Sequence, residues 1–369
     1  MGLIFSIIFT ILSLAYLYVL VWVEIGLRRS LPRDDYLPAD QEPISVIIAA
    51  KNEAHNLPRL LTSLAQLECI DADYEVIIVN DHSTDDSLKI LRNWEGQFGI
   101  KVIDWQGEIP NYIGKKAALQ KGIEAAQYDI LAFTDADCQL SPSWLREISR
   151  VMRPDLDYLL GYTTVYSFAG DTDLKLRNFE RSIYYALGAA GLGWKKPITS
   201  SACNHIYRKS LFEKAGGFEG ISHIASGDDD LLLIKMMPFI RKAIYNPSPQ
   251  MQVNCFEGKN ISNLHQKNIR RASKFRHHPP HVRALSAFVF VYFAVFYVAL
   301  IRLFTGSGDI LLLSMIMAKF LTELHLSQTH LAMVHKTHIG ILYFPQIFVF
   351  PVQFIYYAIR GSLGKYRWK

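Results

Sequence analysis

The stretch Ile130-Leu131-Ala132-Phe133-Thr134-Asp135-Ala136-Asp137 decides the fold: a short apolar run that reads as a buried strand ends on two carboxylates one residue apart. Carboxylates at that spacing can both reach one divalent cation. The bare pattern recurs at Asp71/Asp73, Asp155/Asp157, Asp171/Asp173 and in the run Asp228-Asp229-Asp230, so spacing alone carries no information. Position does. The pairs at 71 and 155 precede strand-like runs and the pair at 171 lies in a polar stretch, whereas Asp135 and Asp137 follow a strand. Open α/β sheets bind ligands at the carboxyl ends of their strands, and that is where this pair stands.

Working outward, strand-like and helix-like stretches alternate from Ile44 onward, the pattern of a mainly parallel sheet built from βαβ units. Strands are expected at Ile44–Ala50, Glu75–Val79, Lys101–Trp105 and Asp129–Thr134, each continuous enough in apolar residues for a sheet covered on both faces. Helices are expected at Leu57–Leu67, Ser87–Trp94 and Lys115–Gln127, with Ser83, Thr84 and Asp85 as N-cap candidates for the second. Three polar clusters then emerge at strand ends: Lys51-Asn52-Glu53, Asn80-Asp81-His82 and Asp135-Ala136-Asp137. They are expected to converge on one crevice, whose carboxylates suit a nucleotide. Gly114-Lys115 has Ile109 where a P-loop needs its first glycine, and no G-x-G-x-x-G follows the first strand, so P-loop hydrolysis and a dinucleotide fold are disfavoured.

The ordered blocks Ile44–Glu53, Val79–Ser87, Gly114–Gly122, Ala132–Asp137, Ala202–Phe218 and Gly227–Leu232 resemble those of family 2 glycosyltransferases with the GT-A fold, over roughly Pro43 to Ser273. The resemblance implies a nucleotide-sugar donor, Mn²⁺ or Mg²⁺, and inversion at the anomeric carbon. It implies that Asp137 ligates the metal, with Asp135 contacting the ribose or a metal-bound water. Ala49, Lys51, Asn52, Glu53 and Asp81 would line the nucleotide pocket, and Lys115 would reach the base or phosphates. Asn204 would contact the sugar and Arg270 the diphosphate, although Asn204 reads nearly as well as a core or turn residue and Arg270 equally well as an interfacial one. In the run at 228, Asp229 is expected to be the general base, with Asp228 the alternative. Uridine is the nucleoside the resemblance implies by default. Processive relatives carry Gln-x-x-Arg-Trp, but aligning on Arg270 puts Lys267 at the glutamine and Arg271 at the tryptophan. Without that aromatic platform, a single transfer is expected rather than polymer synthesis.

The 369 residues have apolar ends around this soluble middle, with 50% hydrophobic residues and a net charge of +5. Leu3–Val23 is about as long as the ~20 residues that cross a bilayer, and Arg28, Arg29 and Arg33 follow it. That arrangement predicts an uncleaved anchor with its following domain in the cytoplasm. Ala284–Leu303 and Ile339–Ile359 are further expected spans. Ile310–Leu321, with Lys319 inside it, fits a re-entrant piece as well as a span. Two C-terminal spans would return Arg360, Lys365, Arg367 and Lys369 to the cytoplasm, which favours the re-entrant reading. The expected organisation is an anchor over 1–25, a catalytic domain over 43–260, a basic interfacial segment over 261–282 and a membrane region over 283–369. Lys267, Arg270, Arg271, Lys274 and Arg276 suit anionic headgroups rather than nucleic acid. Cys69, Cys138, Cys203 and Cys255 are widely spaced, so neither a disulfide framework nor a zinc site is indicated, in keeping with a reducing compartment.

These readings predict an integral membrane glycosyltransferase with a lipid or lipid-linked acceptor. Its rivals are a processive polysaccharide synthase, a nucleotidyltransferase and a non-catalytic nucleotide-sugar-binding scaffold.

Overall fold

The computed structural model describes residues 2–32, 41–68, 70–166, 172–256, 261–334 and 343–363. Arg33, Cys69, Asp171, Ile339, Lys365, Arg367 and Lys369 lie outside them. The chain divides into two compact units, one of Met1–Gly26 with Lys259–Lys369 and one of Leu27–Gly258.

The second unit begins in the last turn of helix α1 (Gly2–Ser30) and continues with β1 (Ile44–Ala50), α2 (Leu57–Ala65), β2 (Tyr74–Asp81), α3 (Ser87–Arg92), β3 (Ile100–Trp105), α4 (Lys116–Ala125) and β4 (Ile130–Phe133). Six of the seven β1 residues are buried, because helices cover both faces of a parallel sheet. In α2, Leu57, Leu60, Leu61 and Leu64 are buried at i, i+3, i+4 and i+7, the helical apolar stripe. Each such leucine contributes about 1.5–3 kcal/mol by leaving water. Then come β5 (Cys138–Leu140), α5 (Trp144–Val151), β6 (Tyr158–Gly161), β7 (Thr163–Tyr166), α6 (Thr172–Gly193), β8 (His205–Arg208), α7 (Lys209–Lys214), α8 (Asp230–Met236), β9 (Ala243–Asn246) and β10 (Val253–Phe256).

The main sheet has the order β3-β2-β1-β4-β8-β6-β9 and a second sheet the order β5-β10-β7. β8 runs antiparallel to both its neighbours, and the other pairs of the main sheet are parallel. This is the mainly parallel, mixed sheet of the GT-A fold. Pairing of Ala50 with Asn80, and of Ile47 with Phe133, brings the carboxyl ends of β1, β2 and β4 to one edge. Strands about 4.8 Å apart put the three polar clusters within roughly 10 Å of one another across that edge. Under β8, the buried Arg208 guanidinium is held by Glu42 at 2.8 and 2.9 Å and by Asp129 at 3.0 Å, and donates to the Leu156 and Arg153 carbonyls. The carboxylates of Glu42 and Asp129 remain 30% and 42% exposed, so solvent screening keeps the cost of breaking this cluster below the ~3–5 kcal/mol of a fully buried pair.

The other unit contains most of α1, with α9 (Ile261–Ser273), α10 (Pro280–Phe304), α11 (Ile310–Met333) and α12 (Tyr343–Ser362). Among the described residues, α1, α10 and α11 are long and apolar enough to cross a membrane. The twelve-residue apolar core read at Ile310–Leu321 belongs to a continuous helix of 24 residues. Lys319 does not interrupt it: its ammonium is 1% exposed and meets Glu323 at 2.7 Å, and Tyr16 donates to the other Glu323 oxygen at 2.7 Å. A third C-terminal helix, α12, bearing Pro351 internally, occupies most of the expected last span.

Candidate active site

The loops after β1 and β2 are sewn together by their own polar residues. Asn52, at φ +55°, donates its backbone N–H to Ser83 Oγ at 2.9 Å, and its side-chain oxygen accepts from the Thr84 N–H at 2.7 Å. Glu53 donates its N–H to Ser87 Oγ at 2.8 Å, and Asp85 accepts from the N–H groups of Ala54 and Ser87. Ser83 and Thr84 therefore do not cap α3 as expected. Asp86 occupies the cap position without a side-chain bond, and the polar run ties loop to loop instead. Asp81, closing β2, pairs with His82 Nδ1 at 2.7 Å. Ala49 is half-buried near the end of β1, and Lys51 is exposed beyond it.

Asp135 and Asp137 follow β4 as the sequence predicts. Lys115 does not point away on its own. Its ammonium stands 2.8 Å from Asp135 Oδ1 and 2.8 Å from Asp228 Oδ2, joining the pair after β4 to the acidic run before α8. Burial works against the Lys115 charge, but the two carboxylates outweigh it and hold the ammonium well above its ordinary range. Desolvation, with the Cys203 thiol beside it, pushes the Asp135 carboxyl up to about 6 against the pull of Lys115.

The next residue anchors the same junction from inside. Lys116 is 1% exposed and donates to the carbonyls of Ile224 and Ser226, fixing the loop that delivers Asp228. Gly227 sits at φ +92°, and a Cβ there would meet Leu231 at 2.5 Å, so the turn into the acidic run requires glycine. Within the run, Asp228 and Asp230 are buried, while Asp229 retains partial exposure and accepts from the Asp230 N–H at the start of α8.

Asn204 is not where a sugar contact must be. It is fully buried; its oxygen accepts from Trp144 Nε1 at 2.9 Å, and its nitrogen donates to the Tyr162 and Met251 carbonyls at 3.0 and 2.7 Å. A Cβ at Gly161 would stand 2.3 Å from that amide. Asn204 is a core tie, the alternative left open by its residue type. Arg270 lies on α9, in the other unit.

Sequence spacing gave no sign of a thiol cluster. Cys138, Cys203 and Cys255 nevertheless carry sulfur atoms within 4.8 Å of one another, because β5 and β10 pair across 117 positions of chain. His205 is also buried here, against the rings of Phe133, Tyr158 and Tyr207. Desolvation drives its pKa down to about 3, with Asp228 opposing. The folded ring thus stays neutral where the unfolded ring, near 6.5, takes a proton, so stability is lost as pH falls through 6.5 towards 3, by about 1.4 kcal/mol per pH unit. His205→Gln is expected to remove that slope in denaturant melts between about pH 7 and 5. An unchanged slope would assign the acid sensitivity elsewhere.

Residues 45–216 match the family described as "Glycosyl transferase family 2". The chain is 33% identical over 128 residues to an undecaprenyl-phosphate 4-deoxy-4-formamido-L-arabinose transferase of Aeromonas hydrophila, covering 34% of this chain and 36% of that one. It is 32% identical over 106 residues to a beta-monoglucosyldiacylglycerol synthase of Nostoc, covering 28% and 22%. The matched stretches thus span well under half the length of these relatives. In fold the chain is similar to the mannosyltransferase PcManGT of Pyrobaculum calidifontis, solved with GDP-Man and Mn²⁺, at TM-score 0.64 and 17% identity over 99% of this chain and 100% of that one.

Proposed function

Residues 45–216 form a family 2 glycosyltransferase domain, and on that premise we propose that the protein is a membrane-bound inverting glycosyltransferase that moves one sugar from a nucleotide-sugar to a lipid or lipid-linked acceptor. One observation carries this reading: a single lysine, Lys115, gathers Asp135 from the strand-end pair and Asp228 from the acidic run. Donor and acceptor chemistry then share one cleft. The lipid acceptor is supported by the named substrates of the two relatives and by three helices fit to cross a membrane. A cytoplasmic catalytic domain is supported by Arg28 and Arg29, which follow the apolar part of α1.

The residues fit a hard divalent cation. Carboxylate oxygens are its preferred donors, and two carboxylates of the cleft already converge on one positive charge. Asp137 would hold Mn²⁺ or Mg²⁺, with Asp135 beside it. Bound there, such an ion supplies Lewis-acid neutralisation of the departing diphosphate; Mn²⁺ in the PcManGT complex supports a divalent ion. Asp81 and Glu53 hold the nucleoside against the edge of β1, in loops that Asn52 and Ser83 keep in register. Lys115 adds positive charge beside the leaving group.

Asp229 takes the proton of the acceptor hydroxyl as that oxygen attacks the anomeric carbon from the face opposite the leaving diphosphate. Its partial exposure favours it over Asp228, whose carboxylate is buried and held by an ammonium.

The test is metal-dependent binding of UDP, GDP and dTDP to the full-length protein in detergent, followed by transfer of labelled sugar into a lipid extract. Binding of one nucleotide and a single-sugar product in the organic phase are expected. A labelled polymer would favour the processive reading, and failure of all three nucleotides to bind folded protein would favour the scaffold.

A further inference from the structure

Glycosyl transfer leaves the three thiols beneath the cleft without a task. Cys138 begins β5, Cys255 lies in β10 directly opposite it, and Cys203 lies in the single helical turn Ala202–Asn204 before β8. Cys138 and Cys255 are buried and Cys203 is partly so. The Phe256 N–H donates to the Asp137 carbonyl at 3.0 Å, which makes Cys138 and Cys255 a non-hydrogen-bonded cross-strand pair, the kind whose side chains stand closest. Their sulfurs are 3.1 Å apart, and the Cys203 sulfur is within 4.8 Å of both. Cys203 donates to Asp135 Oδ2 at 2.9 Å, and Cys138 lies 3.5 Å from Asp137 Oδ1.

We propose that Cys138, Cys203 and Cys255 form a binding site for a soft divalent cation of the zinc class. Tetrahedral zinc with bonds of about 2.3 Å to sulfur sets its ligand sulfurs roughly 3.8 Å apart. One sulfur pair stands at 3.1 Å and all three lie within 4.8 Å of one another, so shifts of about an ångström or less in short side chains reach that separation. Thiolates select soft cations and carboxylates hard ones, so this site and the carboxylate pair above it divide two classes of metal between them. Charge balance is available nearby: Arg181 acts on Cys203 and Cys255, and Lys115 on Asp135. An ion there staples β5, β10 and the turn before β8, three segments far apart in sequence that support Asp137 and Asn204.

The experiment uses full-length protein in detergent, chelator-treated and kept reduced, titrated with Cd²⁺ alone. One equivalent is expected to produce the ultraviolet charge-transfer absorption of cadmium–thiolate bonds, undiminished by excess Mg²⁺ and retained in Asp137→Asn and Cys69→Ser. Cys138→Ser, Cys203→Ser and Cys255→Ser are each expected to weaken Cd²⁺ by at least about tenfold. Should a serine variant not fold, wild-type protein decides by protection: bound Zn²⁺ is expected to shield the same three cysteines from maleimide, read by peptide mass. Absence of both absorption and protection overturns the proposal, as does absorption indifferent to the three substitutions. A Cys138–Cys255 disulfide in protein purified without reductant, with no Cd²⁺ absorption after reduction, overturns it in favour of a redox pair. No readout involves sugar transfer, so its failure and that of the proposed activity are separable.

Discussion

Replacing Asp229 by asparagine is expected to lower the rate of transfer by about 10²–10⁴-fold, the range a positioned general base supplies, while nucleotide affinity stays near that of wild type. The two readouts separate chemistry from folding. Asp229 sits at the N-cap of α8, where its oxygen accepts from Asp230, and asparagine caps a helix about as well as aspartate. The helix and the buried neighbours should therefore persist, and only the proton acceptor is lost. Asp228→Asn provides the contrast. It removes a partner of Lys115, so it is expected to disturb donor binding as well as rate. If Asp229→Asn transfers sugar at the wild-type rate and Asp228→Asn does not, the base is Asp228.

The second large effect is on binding. Losing a partner one shell out from a metal costs ~10–100-fold in affinity, so Asp137→Asn is expected to lower Mn²⁺-dependent nucleoside-diphosphate affinity by at least about 100-fold. The residual binding should no longer respond to chelator. Calorimetry with Mn²⁺ and with chelator measures both. Mn²⁺-dependent binding at wild-type strength in Asp137→Asn would remove the residue from the metal set. Asp135→Asn is expected to be more disruptive to the apo protein, since Asp135 also engages Lys115 and Cys203.

The parallel half of the fold was legible because its signals are local. β1 has its expected bounds, and β2 and β3 extend the expected runs by one to three residues. Their continuous apolar composition needs no knowledge of distant partners. The placement of Asp135 after β4 follows from the same pattern. What escaped depends on contacts between remote segments. β8 is only four residues long and pairs antiparallel between β4 and β6, so nothing in its own composition announces its place. Asn204 looked available because asparagine is polar; its partners Trp144, Tyr162 and Met251 come from three other segments and bury it. The thiol cluster is hidden for the same reason. Lys319 misled in the opposite direction, since a lysine in an apolar run suggests a boundary until its partner Glu323, one helical turn on, is considered.

The consecutive lysines Lys115 and Lys116 have a consequence for how this cleft tolerates change. One faces the carboxylates of the opening and the other the carbonyls behind the loop, so the order of the two aims is written into the count of residues between Gly114 and Ala117. A substitution there alters one grip, but a one-residue insertion or deletion shifts the register of the segment and disturbs both. The segment therefore behaves as a fixed gauge. Evolution or engineering of new donor preference has room in the side chains of the loops after β1 and β2, and almost none in the length of this turn.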